Sequence, residues 1–131
     1  MNKKIFLLIT SGVISISILI FSYIGNYRLC GGEQWGGCVD ILADIETILL
    51  PFLPLLLFSL ITYRMKEEIF QAWFRFVRIY IPIAVLLIAL APSYTHNWMF
   101  PYDKGMAAVI FSIIFSSISF GIVVSAQLKK K

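Results

Sequence analysis

Four apolar segments divide this chain, and almost all of its charge lies between or outside them. They cover residues 5–24, 41–63, 79–95 and 106–128. Each is close to the ~20 residues that an α-helix needs to cross the hydrocarbon core of a bilayer. Inside hydrocarbon a helix satisfies its own backbone hydrogen bonds. The pattern therefore predicts an all-α integral membrane protein, with four transmembrane helices in an antiparallel up-down bundle.

Composition argues against any additional soluble domain. Of the 131 residues, 60% are hydrophobic and only 14% are charged, whereas a soluble domain has about 25% charged residues. The connections between the apolar segments have roughly 10 to 16 residues, too few to bury a core of their own. We expect residues 1–131 to form a single membrane domain.

Lysine and arginine alternate sides as the chain crosses the predicted membrane. Nine lie in the two tails and the second connection, and two lie in the first and third connections. The nine are Lys3, Lys4, Arg64, Lys66, Arg75, Arg78, Lys129, Lys130 and Lys131, and the two are Arg28 and Lys104. Positive residues favour the cytoplasmic side. The pattern predicts an inner-membrane or plasma-membrane protein with both termini in the cytoplasm, whose basic residues contact lipid rather than nucleic acid.

Tyrosine and tryptophan give a second indication of the same topology, because these residues prefer the membrane–water interface. At the predicted outer boundary lie Tyr23, Tyr27, Trp35, Tyr94, Trp98 and Tyr102, and at the inner boundary lie Tyr63, Trp73 and Tyr80. We therefore expect these side chains to mark the two surfaces of the membrane.

Small residues recur at helical spacing in the first and fourth spans. Ser11 and Ser15 lie four residues apart in the first span, and Ser117, Gly121 and Ser125 do so in the fourth. Residues four apart share a helix face, and small side chains let helix backbones approach closely in lipid. We expect these faces to pack the first span against the fourth, with an oligomer interface as the alternative.

The second span combines two prolines with two acidic residues. Pro51 and Pro54 each remove a backbone donor, which predicts a kink in the outer half of the span. Asp44 and Glu46 lie near its outer boundary, and we expect water at a helix end to solvate them. The alternative is a proton or ion path, in which His96 of the third connection would take part if it approached them.

The third apolar segment is short for a span. Residues 80–94 would cover ~22 Å as a helix, less than the ~30 Å of a hydrocarbon core. Residues 67–80 carry apolar side chains at helical spacing, which predicts an amphipathic interfacial helix before span three, with a bend at Pro82 and an outer end at Pro92. This helix would anchor the chain to the membrane or, alternatively, dock a cytoplasmic partner.

The first connection contains the only two cysteines, Cys30 and Cys38. They fall on the predicted outer side, which is oxidising in a periplasm or secretory compartment. A disulfide across this short loop would contribute about 2.5 kcal/mol of stability. A redox-active pair is the alternative, although such pairs favour C-x-x-C spacing. Zinc is disfavoured because His96 is the only histidine.

The sequence contains no phosphate-binding loop, nucleophile elbow, dinucleotide fingerprint or metal-binding cluster. We therefore infer no cofactor and no enzymatic activity. We expect a structural or interaction subunit that assembles with other membrane proteins or with itself. The alternatives are a small transporter or channel component that uses Asp44 and Glu46, and a thiol redox protein that uses Cys30 and Cys38.

Overall fold

The computed structural model describes residues 2–22, 31, 37–92, 99 and 102–129. Within these residues the chain forms five long helices: α1 (Lys3–Ile20), α2 (Gly37–Leu49), α3 (Phe52–Tyr63), α4 (Glu67–Leu90) and α5 (Lys104–Leu128). Helices α2 and α3 together make one apolar stretch, so four helical stretches are long and apolar enough to cross a membrane. The predicted all-α class and its four apolar helices are confirmed, and these helices pack as a bundle.

The second span is interrupted where the prolines predict a kink. Pro51 and Pro54 have no N–H, so the carbonyl oxygens of Thr47 and Leu50 lose their usual helical donors. The N–H of Leu50 donates to Thr47 O at 3.2 Å, and the N–H of Leu53 donates to Leu50 O at 3.1 Å. These tighter bonds, of the 3₁₀ type, satisfy both carbonyls while the chain turns from α2 into α3.

The small-residue face of α1 packs against α3. Ser11 Oγ lies 3.3 Å from Ser59 Oγ, and Ser15 Oγ donates to the carbonyl oxygen of Phe52 at 3.2 Å. The order of these contacts shows that the two helices run in opposite directions. The sequence had predicted the fourth span as the neighbour of this face, and that prediction is wrong. Helical spacing identifies a packing face, but it carries no information about which helix covers it.

The centre of the core is a tryptophan shared by three helices. Trp73 of α4 is fully buried, and its Nε1–H donates to Ser119 Oγ of α5 at 3.0 Å. Around it pack Phe70, Phe58 of α3 and Phe115 of α5, the last two with ring centroids 6.1 Å apart. The prediction that Trp73 lies at the depth of the inner membrane–water interface stays a prediction. Its side chain is covered by protein, and Ser119 supplies the acceptor that a buried indole N–H requires.

Helices α4 and α5 stay in contact toward the other end of the bundle. The hydroxyl of Tyr80 donates to Phe111 O at 2.7 Å. Farther along, Ile88 packs with Ala107 and Ala108, and all three are fully buried. Residues later in α4 contact residues earlier in α5, so these two helices are also antiparallel.

One continuous helix replaces the predicted interfacial helix and short third span. Helix α4 has 24 residues and contains Pro82 without ending there, which gives it a length of ~36 Å. Ile69 and Val77 belong to its buried face, so the apolar side of residues 67–80 is covered by protein rather than lying on the membrane. The helix ends at Leu90, just before Pro92, as the sequence predicts.

The Trp73–Ser119 hydrogen bond gives a stability prediction. Ser119→Ala leaves the indole N–H without its acceptor in a dry core, so we expect the free energy of unfolding to fall by about 1–2 kcal/mol. Denaturant titration in detergent micelles measures this change.

Thr10→Ala is the control, because Thr10 is exposed and its hydroxyl donates to Phe6 O of its own helix. We expect this control to change stability by less than about 0.5 kcal/mol. Equal losses in the two variants would show that the Trp73–Ser119 bond does not stabilise the bundle.

Candidate functional site

Asp44 and Glu46 of α2 face two different helices. Asp44 Oδ2 accepts a hydrogen bond from Lys104 Nζ at 2.7 Å, and the Lys104 side chain is only 15% exposed. Asp103 caps α5 by accepting from the N–H of Met106 at 2.8 Å, which places Lys104 in the first turn of the helix. The ion pair therefore ties the start of α5 to α2.

Glu46 lies on the side of α2 that faces α1. It lines a cavity of about 70 Å³ together with Ile18 and Phe21 from the end of the first span, and with Leu42 and Leu49. Among the residues that the structure describes, none forms a hydrogen bond or an ion pair with Glu46. Asp44 and Glu46 are thus close in sequence but do not form one site.

Two of the residues singled out from the sequence, His96 and Cys30, lie outside the described residues. Cys38 is exposed in the first turn of α2. The disulfide between Cys30 and Cys38, and any role of His96 near Asp44 or Glu46, therefore stay predictions. Over the described ranges, no group of three or more His, Cys, Asp or Glu side chains comes together in a way that could hold a metal ion.

The second small-residue face lies on the surface of the bundle. Ser117, Gly121 and Ser125 are all exposed, and a Cβ added to Gly121 would meet no atom within 4 Å. Beside Gly121 runs a groove of about 590 Å³ between α5 and Ala72 of α4. The structure leaves room for another helix backbone to approach α5 at this face.

Lys4, in the first turn of α1, contacts residues at and just before the start of α4. Its Nζ donates to Met65 O at 2.9 Å and lies 3.1 Å from Glu67 Oε2. The same ammonium group lies 5.3 Å from the centre of the Phe70 ring, within the range of a cation–π interaction. These contacts fix the start of α1 beside the start of α4. We call this region the basic end of the bundle, where α1 and α4 begin and α3 and α5 end.

Sequence reasoning identified Asp44 but missed the lysines that form ion pairs. The Lys104–Asp44 pair joins residues 60 positions apart, and the hydrogen bond from Lys4 to Met65 joins residues 61 apart. No periodicity connects residues so distant in the chain. The only signal was the presence of each lysine at a span boundary, which predicts topology rather than a partner.

Comparisons with known protein families, with curated proteins and with solved structures gave no match to this chain.

The different surroundings of Asp44 and Glu46 give a paired prediction. Asp44→Asn removes the charge that faces the largely buried ammonium of Lys104, and we expect a loss of about 1 kcal/mol in the free energy of unfolding. Glu46→Gln keeps the shape of a side chain that is partly exposed, and we expect a change below about 0.5 kcal/mol.

Both values come from denaturant titration of the full chain in detergent micelles. A larger loss for Glu46→Gln than for Asp44→Asn would mean that Glu46 carries a structural or functional charge contact.

Proposed function

We propose that this chain is a non-enzymatic integral membrane protein that acts as a structural or interaction subunit, and that it assembles through the exposed small-residue face of α5. The observation that supports this is the contrast between the two small-residue faces. Ser11 and Ser15 are covered by α3, whereas Ser117, Gly121 and Ser125 are left open.

The covered face shows what such a surface does in this protein. There, serine hydroxyls approach the neighbouring helix closely enough for Ser15 to reach a backbone carbonyl. In lipid, helices associate by close packing and polar contacts, since apolar burial gives no advantage over contact with lipid tails. The open face on α5 has the same spacing and includes Gly121, whose missing side chain permits the closest backbone approach.

We propose a second copy of the chain as the occupant of this face. The stripe lies on one helix at four-residue spacing, so a two-fold axis beside Gly121 would bring two identical stripes together. Such a symmetric contact requires no second complementary surface. The groove beside Ala72 gives additional room for the larger side chains of the partner helix.

Gly121→Leu tests this assembly directly. A leucine would push two α5 helices apart, so we expect the self-association constant in lipid vesicles to fall at least about tenfold. The measurement is fluorescence energy transfer between labelled copies at varied protein-to-lipid ratio. The variant should still fold, because the added side chain points into open space and leucine favours the helix over glycine.

Ala89→Leu is the control, since Ala89 is an exposed small residue on α4 and the same increase in size there should leave self-association unchanged. A wild-type chain that stays monomeric in vesicles would reject the dimer. Equal loss of association in both variants would show that the contact is not centred on Gly121.

We also propose that the protein resides in the inner or plasma membrane with its basic end in the cytoplasm. The observation in support is that Lys3, Lys4, Arg64, Lys66 and Lys129 lie in the parts of the chain that form this end. Positive residues are retained on the cytoplasmic side during insertion.

Reporter fusions test the orientation. Fusions after Lys131 and within residues 66–72 should be active only as cytoplasmic reporters, and fusions at Trp35 and Asn97 only as exported ones. The opposite pattern, or one that requires an odd number of crossings, would overturn the proposed topology.

A transporter or channel component remains the second candidate, favoured by the position of Glu46 beside a cavity between α1 and α2. Its separation from Asp44 weakens a path that uses both carboxylates. Solute or proton flux into vesicles that Glu46→Gln abolishes, in a variant that folds normally, would replace the subunit proposal with this one.

A further inference from the structure

Two adjoining cavities lie at the basic end, between the start of α1 and the first half of α4. Their volumes are about 370 and 240 Å³. Lys3, Phe74 and Arg78 line both cavities. In addition, Phe6 lines the larger cavity and Arg75 lines the smaller one. We refer to the two together as the basic cleft.

The helical spacing of α4 accounts for the composition of the cleft. Phe74, Arg75 and Arg78 lie at positions that share one side of a helix, and both arginines are exposed. From the other side, α1 contributes Lys3 in its first turn and Phe6 one turn later. Three cations from two distant parts of the chain therefore converge around two aromatic rings.

The positive charge of the cleft has no counterion among the described residues. None of these residues forms an ion pair or a hydrogen bond with Lys3, Arg75 or Arg78, and none of the described lining residues is acidic. Glu67, an acidic residue at this end, pairs with Lys4 instead. Three like charges around a cleft repel one another, so an anion bound there would relieve that repulsion.

The location of the cleft indicates where such an anion would come from. Arg75 and Arg78 belong to a helix that is long and apolar enough to span a membrane, and an arginine on such a surface extends toward the phosphate layer or pairs with an anion. Phe6 is 57% exposed and offers an apolar surface just below the cations. This combination suits a molecule with an anionic head and an apolar tail.

We propose that the basic cleft binds an anionic glycerophospholipid from the leaflet at the basic end. The guanidinium groups of Arg75 and Arg78 and the ammonium of Lys3 would bind its phosphate, for which arginine offers paired donors. The acyl chains would lie along Phe6 and Phe74. A zwitterionic lipid fits less well, because its own cation would find no acidic partner among the described lining residues.

Lipid titration of the full chain tests this site. The protein is purified in a neutral detergent, and binding of dioleoyl phosphatidylglycerol and dioleoyl phosphatidylcholine is measured by native mass spectrometry. We expect the phosphatidylglycerol to bind more tightly, and the double variant Arg75→Gln/Arg78→Gln to weaken it by about 30-fold. Lys3→Gln, on the other helix, should weaken it by about fivefold.

The matched control is Arg64→Gln/Lys66→Gln, which removes the same charge from the same end of the bundle. Both residues are exposed and neither lines the cleft. We expect this control to change phosphatidylglycerol binding by less than about threefold. Glycerol 3-phosphate, which has the headgroup chemistry without acyl chains, should fail to displace the bound lipid at equal concentration.

Three results would overturn the proposal. Equal affinity for the two lipids would show that the cleft does not select negative charge. Equal weakening by the cleft variants and the control would show a diffuse electrostatic effect rather than a site. Displacement by glycerol 3-phosphate at equal concentration would show a site for soluble phosphates. All the substituted residues are exposed and lie outside the hydrophobic core, so we expect each variant to fold normally. Circular dichroism checks this before binding is compared.

Discussion

Polar and small side chains, rather than apolar burial, hold these helices together. In lipid a leucine gains little by leaving the tails for another helix, so close packing and interhelical hydrogen bonds decide which helices pair. Here Trp73 donates to Ser119 between α4 and α5, and Ser11 meets Ser59 between α1 and α3. The aromatic core of Phe58 and neighbouring rings fills the space that these contacts define. Together, the polar contacts and the packed rings determine which helices meet.

The break at Pro51 shows how a membrane helix accommodates proline. An unpaired carbonyl in hydrocarbon would cost several kcal/mol, yet the carbonyls of Thr47 and Leu50 both find donors through a short 3₁₀-type turn. Within α2, which ends at this turn, Asp44 reaches Lys104 on α5, while Glu46 faces α1. The two carboxylates diverge because side chains two positions apart on a helix point ~200° away from each other.

Some basic side chains of this protein pair with carboxylates, and others gather around a cleft. Lys104 and Lys4 each have an acidic partner, and each pair joins helices that are distant in the chain. Lys3, Arg75 and Arg78 converge without such a partner among the described residues, which is the basis for the proposed lipid site. Under the proposed topology, positive residues that favour the cytoplasmic side would also form the proposed contact with the leaflet that they face.

The sequence by itself determined the helical class, the number of apolar spans, a disruption of span two at Pro51 and Pro54, and the end of α4 before Pro92. These features depend on local properties, namely hydrophobicity, segment length and the missing N–H of proline. The neighbour of the Ser11 face, the burial of Trp73 and the continuity of α4 through Pro82 were decided only by the tertiary structure. Each depends on a partner far away in the chain: Ser59, Ser119 and the rings of α3 and α5 that cover residues 67–80. Helical periodicity defines the faces of a helix, but the fit between two surfaces determines which faces meet.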